Sequence, residues 1–276
     1  MEEKKEKVET GLKDESYYEL DEILERIENR KLEKRNKQKK ARKKFIIILF
    51  SIFLFVGLFI FSFSTFFDVD SIEVRGNSYF TAEEIINMGH AEAGRNLIYH
   101  PDKSNIINYL EKNPYIKNAK VSRGLPSTLI ITVEERQQIG AIKYDDDFLI
   151  IDDQGFLLRK TRTSPKATII EGIKVRKIEV GSEIGVEDED LLGEALRILS
   201  DMQKKDLYFV RLDMSEMYIK AYVYEYLVCK GTYTQLLEGI DKDQLHKILD
   251  KLFGDGIKRG TITFSSEGYA SFVPTI

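Results

Sequence analysis

The chain has 276 residues, of which 42% are hydrophobic and 32% charged, with a formal net charge of −4 at pH 7. Its one cysteine, Cys229, excludes an internal disulfide and any metal site built on several thiolates, and leaves a small strand residue as its expected role. Residues 1–44 carry 15 basic and 12 acidic side chains, net +3, and the remainder carries 27 and 34, net −7, a sign that disfavours nucleic acid and anionic polymers as ligands.

Residues 1–44 form a charged tail without proline, mostly too polar to pack a core. Leu20, Ile23, Leu24 and Ile27 recur at helical spacing and draw a short apolar stripe. It is read as a helix continuing into the membrane, with a docking stripe for a cytoplasmic partner as the other reading. The stretch Phe45 to Phe67 holds 18 Phe, Ile, Leu or Val residues and no charge. As a helix it is roughly 34 Å long, enough for a hydrocarbon core of about 30 Å. Insertion is worth at most about −5 to −11 kcal/mol. It exceeds the usual signal-peptide apolar region, and Phe66 and Phe67 follow the weak small-residue site at Ser62 and Ser64, so a retained anchor is expected. Between Arg30 and Lys44 there are ten Lys or Arg against Glu33 alone, whereas Asp68, Asp70 and Glu73 follow the span. This asymmetry predicts a cytoplasmic N-terminus and an extracytoplasmic remainder, with lipid contact of the basic cluster as a by-product.

From residue 68 to 141 the pattern predicts a β-α-α-β-β unit. Ile72 and Val74 alternate with charges and end at Gly76-Asn77. Thr81-Ala82-Glu83-Glu84 is a capping box for a helix closed at Met88-Gly89, and a second helix opens near Pro101 and stops at Asn113-Pro114. Two alternating strands follow, through Val121 and Ile131, with a turn at Gly124-Leu125-Pro126-Ser127. Residues 142–276 predict a β-rich unit with two helices, over residues 188–203 and 241–253. Its predicted strands are a hairpin over residues 147–158 and segments near 209–214, 218–222, 225–230, 261–264 and 269–273, the last two joined through Ser265-Ser266-Glu267-Gly268. The fold class is therefore α+β, with one transmembrane helix, Phe45 to Phe67, ahead of two folded units.

No catalytic motif is present: no nucleophile elbow, phosphate loop or paired zinc histidines. His90, His100 and His246 lack a second histidine at metal spacing. Asp145-Asp146-Asp147 and Asp152-Asp153 lack calcium-loop spacing and read as solvated turns, and Glu134-Glu135 as surface charge. No enzyme activity, cofactor, metal or small-molecule substrate is expected. The feature with binding potential is the last strand, Tyr269, Ala270, Ser271, Phe272 and Val273, behind which little chain remains to pair its outer side. Two placements are open: an edge that templates a partner strand, or an interior strand paired on both sides. Tyr269 and Phe272 cannot both face one side of a regular strand.

The run from Phe67 to Asn77, and the run Asn113-Pro114-Tyr115-Ile116-Lys117-Asn118-Ala119-Lys120-Val121-Ser122-Arg123 continuing through Leu125-Pro126-Ser127 to Val133-Glu134-Glu135-Arg136, resemble the POTRA domain of the FtsQ/DivIB cell-division family. Ile116 stands where that family's pattern has valine, and Gln137-Gln138 replaces a proline-containing stretch. The segments over residues 148–158 and 261–274 are similar to strands of the family's β domain. The resemblance implies a non-enzymatic divisome scaffold that binds single-pass proteins of the DivIC/FtsB and FtsL types. It implies that the partner adds a strand at residues 269–273 and that the complex controls septal peptidoglycan synthesis. A POTRA-type adaptor for secretion or envelope assembly is the alternative.

Overall fold

The computed structural model describes residues 3–99, 102–265 and 269–275, and the side-chain surroundings of residues 26, 30–32 and 34 onward within them. The side chains of the apolar stripe Leu20, Ile23, Leu24 and Ile27 lie outside what is described, as do His100, Pro101 and the turn residues 266–268.

One continuous helix, α1, spans Glu3–Phe61. Its Phe, Ile and Leu side chains from Phe45 onward are exposed on every side, as in a helix meant for lipid. The expected helix to Phe67 stops short. Ser62 Oγ donates to the carbonyl of Phe59 at 2.6 Å, and the amides of Phe63 and Ser64 reach back only three residues, to Ile60 and Phe61. Hydroxyl side chains compete for carbonyls in this way and tighten a helix end. A single 3₁₀ turn over Thr65–Phe67 follows, with the rings of Phe66 and Phe67 packed on Phe61.

Beyond it the chain is α+β. Strand β1 (Ser71–Arg75) runs parallel to β3 (Thr128–Glu135), which pairs antiparallel with β2 (Ile116–Gly124), giving the order β1-β3-β2. Helices α2 (Ala82–Met88) and α3 (Lys103–Glu111) contribute Ile85, Ile106 and Leu110 to a core with Leu129, Ile131 and Val133. The capping box is present, with Thr81 Oγ1 accepting from the Glu84 amide and Glu84 from the Thr81 amide.

The larger sheet is built from β4 (Gly140–Tyr144), β5 (Asp147–Ile151), β6 (Leu157–Thr161), β7 (Thr168–Glu171), β10 (Arg211–Asp213), β11 (Ile219–Tyr224), β12 (Leu227–Gly231), β13 (Gly260–Phe264) and β14 (Ala270–Val273). A small pair, β8 (Val175–Lys177) and β9 (Gly185–Val186), stands apart from it. Among the described residues its order is β14-β13-β12-β11-β10-β7-β4-β5-β6. Because β4 starts at Gly140, the division between the two sheets falls between Glu135 and Gly140.

The register draws one apolar row across eight strands: Leu149, Ile142, Ile170, Leu212, Ala221, Cys229, Ile262 and Phe272. Opposed residues share a face, and this face packs on three helices, α4 (Glu189–Lys204), α5 (Tyr233–Asp241) and α6 (Gln244–Gly254). Cys229 is a small residue in that row, and burial pushes its thiol up to about 12. Two of the helices match the sequence reading, and α5 is additional.

On the opposite face, Ile150 and Ala141 are buried with Tyr115, which immediately precedes β2, joined by Phe80. Two consecutive residues fix this junction. Glu135, expected as surface charge, accepts from the amides of Ser78, Tyr79 and Phe80 and from the Ser78 hydroxyl. Arg136 donates to Asp152 at 2.6 Å and lies over the Phe156 ring, 3.8 Å from its centroid. Asp152, expected in a solvated turn, is 1% exposed and also accepts from the amides of Gln154 and Phe156.

Candidate functional site

Strand β14 has one neighbour, β13, and no strand among the described residues lies on its other flank. Of the two placements open from sequence, the edge is the one observed. The strand exists because Ala270 and Phe272 alternate with Ser271 and Val273 and find apolar partners on one face only. Ala270 and Phe272 face the helices, and Phe272 ends the cross-sheet row. Ser271 and Val273 face the other way, and Val273 is 61% exposed. Tyr269 precedes the strand, 71% exposed, and takes part in the ladder through its carbonyl. Phe45 lies within α1 and Phe67 in the 3₁₀ turn.

The phase of the hydrogen bonds follows from one contact. The Ser265 amide donates to the Tyr269 carbonyl at 2.9 Å, making 265 and 269 a hydrogen-bonded pair. Bonded and non-bonded pairs alternate along an antiparallel ladder. The pairs Thr263/Ser271 and Thr261/Val273 are therefore bonded, and the amides and carbonyls of Ala270 and Phe272 point away from the sheet. Two residues thus offer an outward donor and acceptor each, while Pro274, next in phase, has no N–H to offer.

Sequence reasoning missed the support beneath the edge. Gly260 has φ +144°, and a Cβ there would overlap the Phe272 ring, so the ring lies over a glycine at the start of the neighbouring strand. Helix α6 supplies Ile248 and Leu252, which with Ile257, Ile262, Ala270 and Phe272 line a largely apolar cavity of about 320 Å³ beside the strand. Close spacing of glycine and aromatic residues across a hairpin is a usable signal for the first, whereas the second depends on tertiary packing.

The edges differ in charge. Strand β1 carries Glu73 and Arg75, paired at 2.7 Å, and β2 carries Lys117, Lys120 and Arg123. At the far side of the larger sheet, β6 carries Arg159 and Lys160, and its Leu157 exchanges backbone hydrogen bonds with Gly181 and Ser182. Charges and covering loops are the ordinary protection of an edge. Strand β14, with Ala270, Ser271, Phe272 and Val273, has no charge.

The other candidate chemistry does not converge. His90 meets the Tyr109 ring edge to face, 4.7 Å between centroids, and His246 lies 3.5 Å from Asp250. Among the described residues no group of three or more His, Cys, Asp or Glu is gathered as metal ligands.

Comparison with known proteins places these features together. Residues 67–136 match the POTRA domain, FtsQ-type. The chain is 29% identical over 248 residues to the cell division protein DivIB of Clostridium botulinum, covering 86% of this chain and 93% of that one. It is 24% identical to DivIB of Bacillus subtilis, covering 69% and 70%. Among solved structures, the major extracytoplasmic domain of DivIB from Geobacillus stearothermophilus aligns with a TM-score of 0.30 and 16% identity, over 43% of this chain and 97% of that one. With a long apolar helix, an FtsQ-type POTRA domain over residues 67–136 and likeness to the Clostridium botulinum DivIB over 93% of that protein, the chain is similar to the FtsQ/DivIB cell-division proteins.

Proposed function

We propose that this protein is a single-pass divisome scaffold whose residues 269–273 receive a strand from small membrane proteins of the DivIC/FtsB and FtsL types, and that the complex helps control septal peptidoglycan synthesis. The tail over residues 1–44 is cytoplasmic, the apolar span lies within Phe45 to Phe67, and the two folded units of residues 68–276 work outside the membrane at the septum. The observation that carries the reading is the contrast among edges: of the four edges of the two larger sheets, β14 alone bears no charged side chain. An added strand recovers hydrogen bonds from Ala270 and Phe272 and extends the apolar row that ends at Phe272.

The test uses Ala270→Pro in the full chain, purified in detergent and titrated with a DivIC-type partner. This change removes an outward donor and leaves the internal ladder intact. Affinity is expected to fall by about tenfold, the worth of one to two lost hydrogen bonds, with thermal unfolding unaltered. Ser271→Pro is the contrasting variant, because its amide serves β13 and its loss loosens β14 itself. Undiminished binding by a folded Ala270→Pro protein would count decisively against strand addition here. A fluorescent fusion gathered at midcell supports the divisome role, and an even envelope distribution favours a general assembly adaptor.

A further inference from the structure

We propose that Lys39, Lys40, Arg42, Lys43 and Lys44 form a collar that holds anionic phospholipid headgroups around α1. The inference rests on the membrane span and is independent of the partner strand. The helix runs unbroken from the basic stretch into the apolar one, so each cation sits at a height fixed by the rise of about 1.5 Å per residue. Lys39 to Lys44 fall within about 7.5 Å of one another along the axis, inside the screening length of roughly 8 Å at physiological ionic strength. Lys37, Arg35, Lys34, Lys31 and Arg30 lie about 10 to 21 Å from Lys44, where the surface potential is largely screened.

All five collar side chains are exposed, and none forms an ion pair among the described residues. At 100° per residue they cover about 200° of the circumference, with Gln38 and Ala41 in the gap. A band of cations over about half the circumference and within about 7.5 Å of height, next to the apolar boundary, matches several phosphodiester headgroups lying side by side in a leaflet. A nucleic-acid helix is read along a stripe running the length of a protein helix instead. The carbon stems of Lys43 and Lys44 lie beside the first apolar turn, so their ammonium groups reach the headgroup level without leaving apolar surface bare.

The experiment places the full chain in nanodiscs of mixed phosphatidylcholine and phosphatidylglycerol and measures, with a spin label on either lipid, the fraction held immobile at the protein. Both faces of a nanodisc carry the same lipids, so chain orientation does not enter. Phosphatidylglycerol is expected to be held about fivefold over phosphatidylcholine, falling towards parity in high salt. Changing the five collar cations together to Gln should abolish the preference, and changing Arg30, Lys31, Lys34, Arg35 and Lys37 together should leave most of it. Equal retention of the two lipids by the unaltered chain overturns the proposal even if a collar variant fails to insert. So does an equal effect of the distal set, or loss of the preference when short duplex DNA is added.

Discussion

Glu135 and its neighbour Glu134 differ by one position in a strand and by most of their physical role. Glu134 points into solvent, half exposed, with Lys117 at 3.2 Å, and such a pair contributes about 0.5 kcal/mol or less. Glu135 turns to the other face, where three backbone amides and a hydroxyl converge on its carboxylate. Burial works to raise its pKa, but the amides of Tyr79, Ser78 and Phe80 with the Ser78 hydroxyl outweigh it, and the carboxyl lies below its ordinary 4.5. A depressed carboxyl stabilises the fold above the unfolded pKa and loses that contribution as pH falls through the folded value. Glu135→Gln is expected to cost residues 68–276 about 2 kcal/mol at neutral pH, since charged hydrogen bonds become neutral ones and one amide must present a donor to donors. The urea midpoint at neutral pH reports the cost. Below pH 4.5 the gap between variant and parent should narrow, and a gap that stays constant into acid would remove the carboxylate from this role. The alternation of Leu129, Ile131 and Val133 puts Glu135 on their face of β3, but that the loop at Ser78 folds its amides onto this carboxylate is a long-range contact that no local pattern encodes.

At the scale of elements, long periodic segments were legible and short ones were not. Helix α4 begins after Asp188, whose side chain accepts from the Leu191 amide, close to where its spacing of Leu192, Ala195 and Leu199 places it. Helix α5 was passed over although its signal was present: Thr232 and Gln235 form a capping box, with Leu236 and Ile240 buried one turn apart. Nine residues give fewer than three turns, too few for periodicity to stand out beside the strand that precedes them. Thr232→Ala is expected to cost about 1 kcal/mol by removing the acceptor for the Gln235 amide, measured as a lowered unfolding midpoint; no change would mean that tertiary packing alone sets the start of α5. Strands β8 and β9, of three and two residues, carry no pattern at all. The candidate edge was half legible. Residues 270–273 read as a strand, but its place at the rim follows from the parallel joint between β12 and β13, a long-range pairing that no local signal encodes. The phase of its amides needed the Ser265–Tyr269 contact, and so the side chain suited to the proline test is Ala270 rather than Ser271.

Across residues 68–276 the two sheets share one clamp, and its strength decides whether they unfold together. Glu135 and Arg136 are consecutive, so one backbone carries the load to the loop at Ser78 on one side and to the turn at Asp152 on the other. Around them Tyr115, Ala141, Ile150 and Leu158 are buried, and Tyr79 stacks on Tyr115 at 5.0 Å. The Arg136–Asp152 pair is 13% and 2% exposed, a regime in which removing one partner is costlier than removing both, because the survivor is left charged and desolvated. Arg136→Ala is therefore expected to destabilise residues 68–276 by about 2 to 3 kcal/mol, less than a fully isolated ion because the amides of Gln154 and Phe156 still reach Asp152. Adding Asp152→Asn should return part of that loss, since the amide oxygen can keep accepting from those two N–H groups without a buried charge. Urea unfolding followed by circular dichroism distinguishes the cases. A double variant less stable than Arg136→Ala would contradict the ion-pair account, and two separate transitions in the parent would show that the sheets stand independently. A single transition in the parent, moved to lower urea by Arg136→Ala and partly restored by the second change, is what this clamp requires; the edge at β14 would then be held at a fixed place relative to the smaller sheet.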